Sequence, residues 1–125
     1  MKDDLGDNEI VTQYGNSRYP PGEPFRRRPR PGKESDISLI VGRKTVDEAA
    51  CLINPRRASA VPGEGVRYAE VGRLRHEAGV RVERTPYPLN PDHVSATLDG
   101  DQEWTDDVST RFNACFGEPS WKGEP

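Results

Sequence analysis

Two histidines, two cysteines and one dense arginine cluster are the residues of this 125-residue chain with most chemistry to offer. His93 lies in TPYPLNPDHVSATL, residues 85–98, behind prolines at 86, 88 and 91. Proline fixes φ and biases the residue before it towards extended backbone, so such a lead places a side chain reproducibly. An imidazole at a fixed position serves as a general acid or base, or as an anion contact. His93 is therefore the candidate catalytic residue. On an alternating strand His93, Ser95 and Thr97 share the face opposite Val94, Ala96 and Leu98, and Asp92 points away from them. The stronger reading of that polar row is a solvated sheet face with an incidental, mostly exposed histidine.

The second candidate is the run Phe25-Arg26-Arg27-Arg28-Pro29-Arg30-Pro31-Gly32-Lys33. Phe25, Arg26, Arg27, Arg28, Arg30 and Lys33 are its candidate binding residues. Arginine clusters neutralise phosphates, but Phe25 is the one stacking face here, and single-strand binders interleave several. Residues 21–26 also fit the PxxPxR pattern read by peptide-binding grooves. Pairing of the arm with the chain's own acidic half is the first reading, a protein partner the second and nucleic acid the third.

Other chemistry finds little footing. His76 lies about 200° round a helix from Leu74 and so faces solvent. Cys51 and Cys115 fall on apolar helical stripes, where free cysteine behaves as a small hydrophobe. No zinc-type ligand pair is present, so no metal is expected. The PGEG at 62–65 lacks the context of a phosphate loop, and no nucleophile elbow is visible, so no cofactor is expected either.

The elements that must position these residues come from a lean composition. Hydrophobic residues make up 32%, charged residues 31%, and twelve glycines and twelve prolines punctuate the chain. Mean hydropathy is −0.89. Such a chain affords a small core and no membrane span. The acidic start MKDDLGDNEIV is no signal peptide, and two cysteines make no disulfide framework, so a reduced, cytoplasmic protein is expected. Charge is segregated: residues 18–84 carry fifteen basic and nine acidic side chains, net +6, and residues 85–125 carry two and eight, net −6.

Three domain regions are expected: an extended or disordered arm over 1–35, a compact α+β domain over 36–117 and a loose tail over 118–125. EIVTQY, residues 9–14, reads as a short strand at an edge. Five prolines between residues 15 and 33 forbid a central strand or helix there. ISLIVG, 37–42, is the β-branched run of a buried strand. Thr45 and Glu48 have capping-box spacing, and Val46, Ala49, Ala50 and Ile53 recur at helical spacing until Pro55. RASAV, 57–61, and VRYAEV, 66–71, read as extended. Val71, Leu74 and Ala78 then share a helix face that Gly79 closes. VRVERT, 80–85, and HVSATL, 93–98, alternate as strands. Trp104, Val108, Phe112, Cys115 and Phe116 form the stripe of a third helix, over about 104–116. Four or five short strands and three helices follow, with the first and last helices packed on one sheet that includes 37–42.

Three pieces, SDISLIVGR, GRLRHEAGVRV and NPDHVSATL, give residues 36–98 a resemblance to a group of small bacterial proteins. That group has a Ser-led hydrophobic strand, an Arg-x-x-Gly-hydrophobic step and an Asn-Pro-x-His-hydrophobic ending. Asn90, Pro91 and His93 match the ending, whereas three residues separate Arg75 from Gly79. The resemblance implies a bacterial source and no particular activity.

The functional expectation is a non-enzymatic accessory protein that docks on a protein partner through the Arg/Pro-rich arm. The alternative is a small toxin-like enzyme acting on RNA or a nucleotide, with His93 as acid/base and arginines stabilising charge. Convergence of His93 and arginines in a deep pocket favours the enzyme, and a solvated His93 favours the binding module.

Overall fold

A computed structural model describes residues 5–18, 24–27, 37–98 and 103–123. Among these described residues nine elements follow one another: β1 (Ile10–Asn16), β2 (Ile37–Val41), α1 (Val46–Ile53), β3 (Glu64–Glu70), α2 (Val71–His76), β4 (Arg81–Arg84), β5 (His93–Thr97), α3 (Asp106–Ala114) and β6 (Ser120–Trp121). The six strands form one antiparallel sheet in the order β4-β5-β2-β1-β3-β6. The class is α+β with three helices, as expected, and six strands rather than four or five.

Alternation along the strands creates two apolar faces, and helices cover both. Val11, Leu39, Ala69, Val82, Val94 and Ala96 turn to α2 and α3, where Val71, Leu74, Phe112 and Cys115 complete the main core. Ile40 and Val66 turn the other way, to Ala49 of α1, with Tyr14, Val46, Leu52 and Tyr68 around them. α1 and α3 therefore pack on one sheet through opposite faces, and adjacent residues Leu39 and Ile40 of β2 serve one each.

The helix boundaries follow local chemistry. Thr45 Oγ1 accepts from the Glu48 amide at 3.1 Å and Glu48 Oε1 accepts from the Thr45 amide at 2.8 Å, the expected capping box. Asn54, before Pro55, closes α1 in extended backbone. Gly79 adopts φ +73° just beyond α2, a left-handed cap that costs a β-carbon-bearing residue more. At α3, Thr105 caps the Val108 amide, and Asp106 and Asp107 in the first turn favour the helix dipole.

Four expectations need correction. β1 is no edge strand: it lies between β2 and β3 and is hydrogen-bonded to both. Residues 57–61 form no strand; their loop is held instead by side chains, with the Ala60 amide donating to Asp47 and the Val61 amide to Glu64. The segment expected as a loose tail contributes β6, which pairs Ser120 and Trp121 with Val66 and Gly65. Of the described residues within 1–35, Leu5, β1 and Phe25 belong to the packed interior of the domain rather than to an arm.

Phe25 owes its place to two glycines. Gly15 and Gly65 face each other across β1 and β3. A β-carbon at Gly15 would lie 2.5 Å from the Phe25 ring, and one at Gly65 would lie 2.5 Å from the Trp121 ring. The glycine pair thus leaves a flat slot in which both rings lie, with centroids 5.3 Å apart. The prolines between residues 15 and 33 do not prevent Phe25 from docking through its ring.

Candidate functional site

His93 opens β5 opposite Ile40 of β2, with its side chain on the α1 face of the sheet. The chain before it doubles back in a tight turn, where Tyr87 and Asn90 exchange backbone hydrogen bonds of 3.0 and 3.1 Å. Pro88 and Leu89 form the tip, and the turn lays the Tyr87 ring on the His93 ring with centroids 4.5 Å apart. His93 is only 6% exposed, and Ser95 is equally buried. The expected solvated polar row is therefore incorrect, because the Tyr87 turn and α1 cover that side of the sheet.

His93 Nδ1 lies 3.0 Å from the Thr85 carbonyl oxygen and 2.8 Å from Thr85 Oγ1. A protonated Nδ1 donates to the Thr85 carbonyl, and a bare Nδ1 accepts from the Thr85 hydroxyl, so Thr85 holds the ring in either tautomer. Thr85 Oγ1 in turn lies 2.7 Å from Ser95 Oγ. No described residue bonds to Nε2. Asp92 is not its partner: Lys44 Nζ holds Asp92 Oδ2 at 2.9 Å.

His93 lines a cavity of about 620 Å³ together with Ser38, Leu52, Ile53, Pro55, Tyr87, Pro88, Leu89 and Asn90. Its rim carries three large apolar side chains left open to water: Ile53 at 51% exposure, Tyr87 at 56% and Leu89 at 71%. Its polar groups are few. Asn90, 5% exposed, keeps its Oδ1 buried with no hydrogen-bond partner among the described residues. None of the described lining residues is an arginine, lysine, aspartate or glutamate. An apolar cavity of a few hundred Å³ with a small number of convergent polar groups has the character of a ligand site.

The basic cluster lies elsewhere and is partly built into the fold. Phe25, 7% exposed, offers no free stacking face, contrary to expectation. The Arg26 carbonyl accepts from Gln13 Nε2, and the Arg27 carbonyl accepts from Trp104 Nε1 at 2.7 Å. Arg28, Arg30 and Lys33 lie outside the described residues. The arginine that Phe25 does meet is Arg67 of β3, whose guanidinium lies 4.8 Å from the Phe25 ring centre and 4.2 Å from that of Phe116. Gln13 and Asn113 accept from it. Burial, and then the Arg27 charge, pulls its pKa down to about 10, so Arg67 stays a cation at neutral pH.

Arg28, Arg30 and Lys33, on which the expected pairing of the arm with the acidic half rests, lie outside the described residues. Elsewhere Lys44–Asp92 and Lys122–Asp47 join residues 18–84 to 85–125, Arg57–Glu64, Arg73–Glu77 and Arg81–Glu83 pair within 18–84, and Arg75–Asp7 and Arg84–Glu9 reach towards the N-terminus. Buried Glu64 is the densest of these sites. It accepts from the Arg57 guanidinium, the Tyr14 hydroxyl and the Val61 amide, and the Arg57 bonds chiefly hold its pKa down to about 2.

No protein-family model, curated protein or solved structure matches the chain.

The remaining expected sites stay quiet. His76 faces solvent as expected and bonds Asp7 Oδ2 at 2.9 Å. Cys115 is buried and free, and burial raises its thiol pKa, which opposes reactivity. Among the described residues no group of three or more His, Cys, Asp or Glu side chains gathers as a metal site requires. Sequence reasoning missed Tyr87, Leu89, Asn90 and Ile53. A signal was present in PYPLNP: two large apolar residues between prolines, in a turn too short to bury them.

Proposed function

We propose that the chain is a non-enzymatic interaction module that docks on a protein partner through the groove beside His93. The observation that carries this reading is the clustering of Ile53, Tyr87 and Leu89, exposed, around one cavity. Exposed apolar side chains scattered singly need no explanation, but a contiguous patch round a cavity marks a contact surface. The basic residues from Arg26 to Lys33 enter as a second, salt-sensitive contribution that steers the encounter rather than anchoring it.

The enzyme reading, with His93 as acid/base on RNA or a nucleotide, has less support. A phosphate-bearing substrate needs cationic groups beside the reacting atom, and the described lining residues supply none. Neither Asp92, held by Lys44, nor any other described carboxylate orients the imidazole.

A photo-crosslinking residue at position 89, compared with one at exposed position 81 on edge strand β4, tests the proposal in living cells. A discrete protein adduct is expected at 89 and not at 81, and it should fall at least about tenfold when Ile53 is also changed to Asp. Equal labelling at both positions, or adducts made of nucleic acid, overturns it.

A further inference from the structure

We infer that Arg67 is the receiving group of an oxyanion site, for a carboxylate or a phosphate, closed by the strap of residues 24–27. Arg67 is 6% exposed. Gln13 Oε1 of β1 accepts from its Nε at 2.7 Å, and Asn113 Oδ1 of α3 accepts from its Nη1. The remaining nitrogen, Nη2, is buried with no hydrogen-bond partner among the described residues. A guanidinium only donates, so Nη2 is satisfied by an acceptor and by nothing else. Both existing partners are neutral amides, and no ion pair among the described residues includes Arg67.

Charge selects the acceptor. The rings of Phe25 and Phe116 attract the cation, but such attraction offsets only part of the cost of burying an unpaired ion. Burial, and after it the charge of Arg27 in the strap, weakens the hold of Arg67 on its proton. A water molecule at Nη2 completes the hydrogen bond and leaves the charge unmatched, whereas an oxyanion meets both needs. Nη2 is closed off from solvent, so the ligand enters with the strap raised. The strap is tied by the Asn16 amide to the Pro24 carbonyl at 2.9 Å, by Trp104 Nε1 to the Arg27 carbonyl, and by the Phe25 ring in its slot. Gln13 couples strap and site, because its Nε2 donates to the Arg26 carbonyl while its Oε1 holds Arg67.

The test uses the full chain at fixed ionic strength, with inorganic phosphate, acetate and chloride as probes. At least one of the two oxyanions should change tryptophan emission saturably, since Trp121 packs on Phe25 and Trp104 bonds the strap. Arg67→Met should bind that oxyanion at least about tenfold more weakly. Thermal unfolding gives a second reading: the oxyanion should raise the midpoint of the unaltered chain more than that of Arg67→Met, because the general salting effect acts on both. A response to acetate alone supports a carboxylate ligand, a response to phosphate alone supports a phosphate, and a response to both supports the shared chemistry. If neither oxyanion exceeds chloride, or if Arg67→Met responds as the unaltered chain does, the inference is overturned and water suffices at Nη2. Should Arg67→Met fail to fold, the Nε–H resonance of Arg67 in the isotope-labelled unaltered chain decides: a saturable shift supports the site, and a resonance that no oxyanion moves overturns it.

Discussion

Replacing Glu64 by glutamine removes one charge and almost no volume, which isolates what that charge does. The carboxylate is buried at the start of β3 and accepts from Arg57, Tyr14 and the Val61 amide, tying the 54–63 loop and β1 together. Its pKa falls from the ordinary 4.5 to about 2, with Arg57 the leading cause. At about 1.4 kcal/mol per pH unit, that drop sets an upper figure near 3 kcal/mol. Arg57 is 26% open to water, which screens part of the interaction, so about 2–3 kcal/mol is the working magnitude. Because the folded pKa is depressed, this contribution is complete above the unfolded value near 4.5 and disappears as pH falls towards 2. Glu64→Gln should thus be less stable by about 2–3 kcal/mol near pH 7, since its amide also sets a donor against the guanidinium. The gap should close on acidification. Urea unfolding of both proteins at about pH 7, 4.5 and 2.5 reads this directly. A gap below about 0.5 kcal/mol near neutrality, or one that persists unchanged at the lowest pH, refutes the reasoning.

Three further outcomes follow from packing. Phe112 is fully buried between Trp104 and Phe116, so Phe112→Ala should cost about 3–5 kcal/mol in denaturant unfolding; a change under about 0.5 kcal/mol contradicts the core described. Gly65→Ala drives a methyl into the Trp121 ring and should cost about 1–3 kcal/mol, with a change in tryptophan emission; an unchanged midpoint and spectrum would mean the slot is not formed. Deleting residues 1–33 removes β1 from the middle of the sheet, so the truncated chain should lose its cooperative thermal transition. That reverses the expectation from composition, and a sharp transition in the truncated chain would restore it.

What was legible in the sequence was what nearest neighbours decide. Thr45 and Glu48 cap α1 from a four-residue window, Gly79 closes α2, and the alternation at 80–85 and 93–98 matches β4 and β5. What was illegible depends on residues far apart in the chain. EIVTQY looks the same at an edge or at a centre, and only pairing with Arg67 and Tyr68 on one side and Ile40 on the other makes β1 central. Phe25 reads as an isolated aromatic among prolines, because nothing local announces the Gly15–Gly65 slot. His93 was found by residue type, and its burial was missed because the polar row His93, Ser95 and Thr97 has the pattern of an exposed face. Thr85 and Ser95 satisfy one another there, so polarity marks an internal network instead.

The central place of β1 has a consequence for how the protein is made. A ribosome delivers β1 before any of its partners, and synthesis proceeds at about 5–20 residues per second. β2 reaches it first, but β3, which pairs along all of Ile10–Asn16, arrives only after α1 and the long loop have been added. Phe25 waits longer still, because Trp121 closes its slot from the last strand of the sheet. For several seconds, then, a nascent chain displays a half-paired apolar strand and a phenylalanine without its seat. The five arginine and lysine residues between Arg26 and Lys33 travel beside them, and like charge in that stretch keeps unfinished copies apart on a crowded polysome.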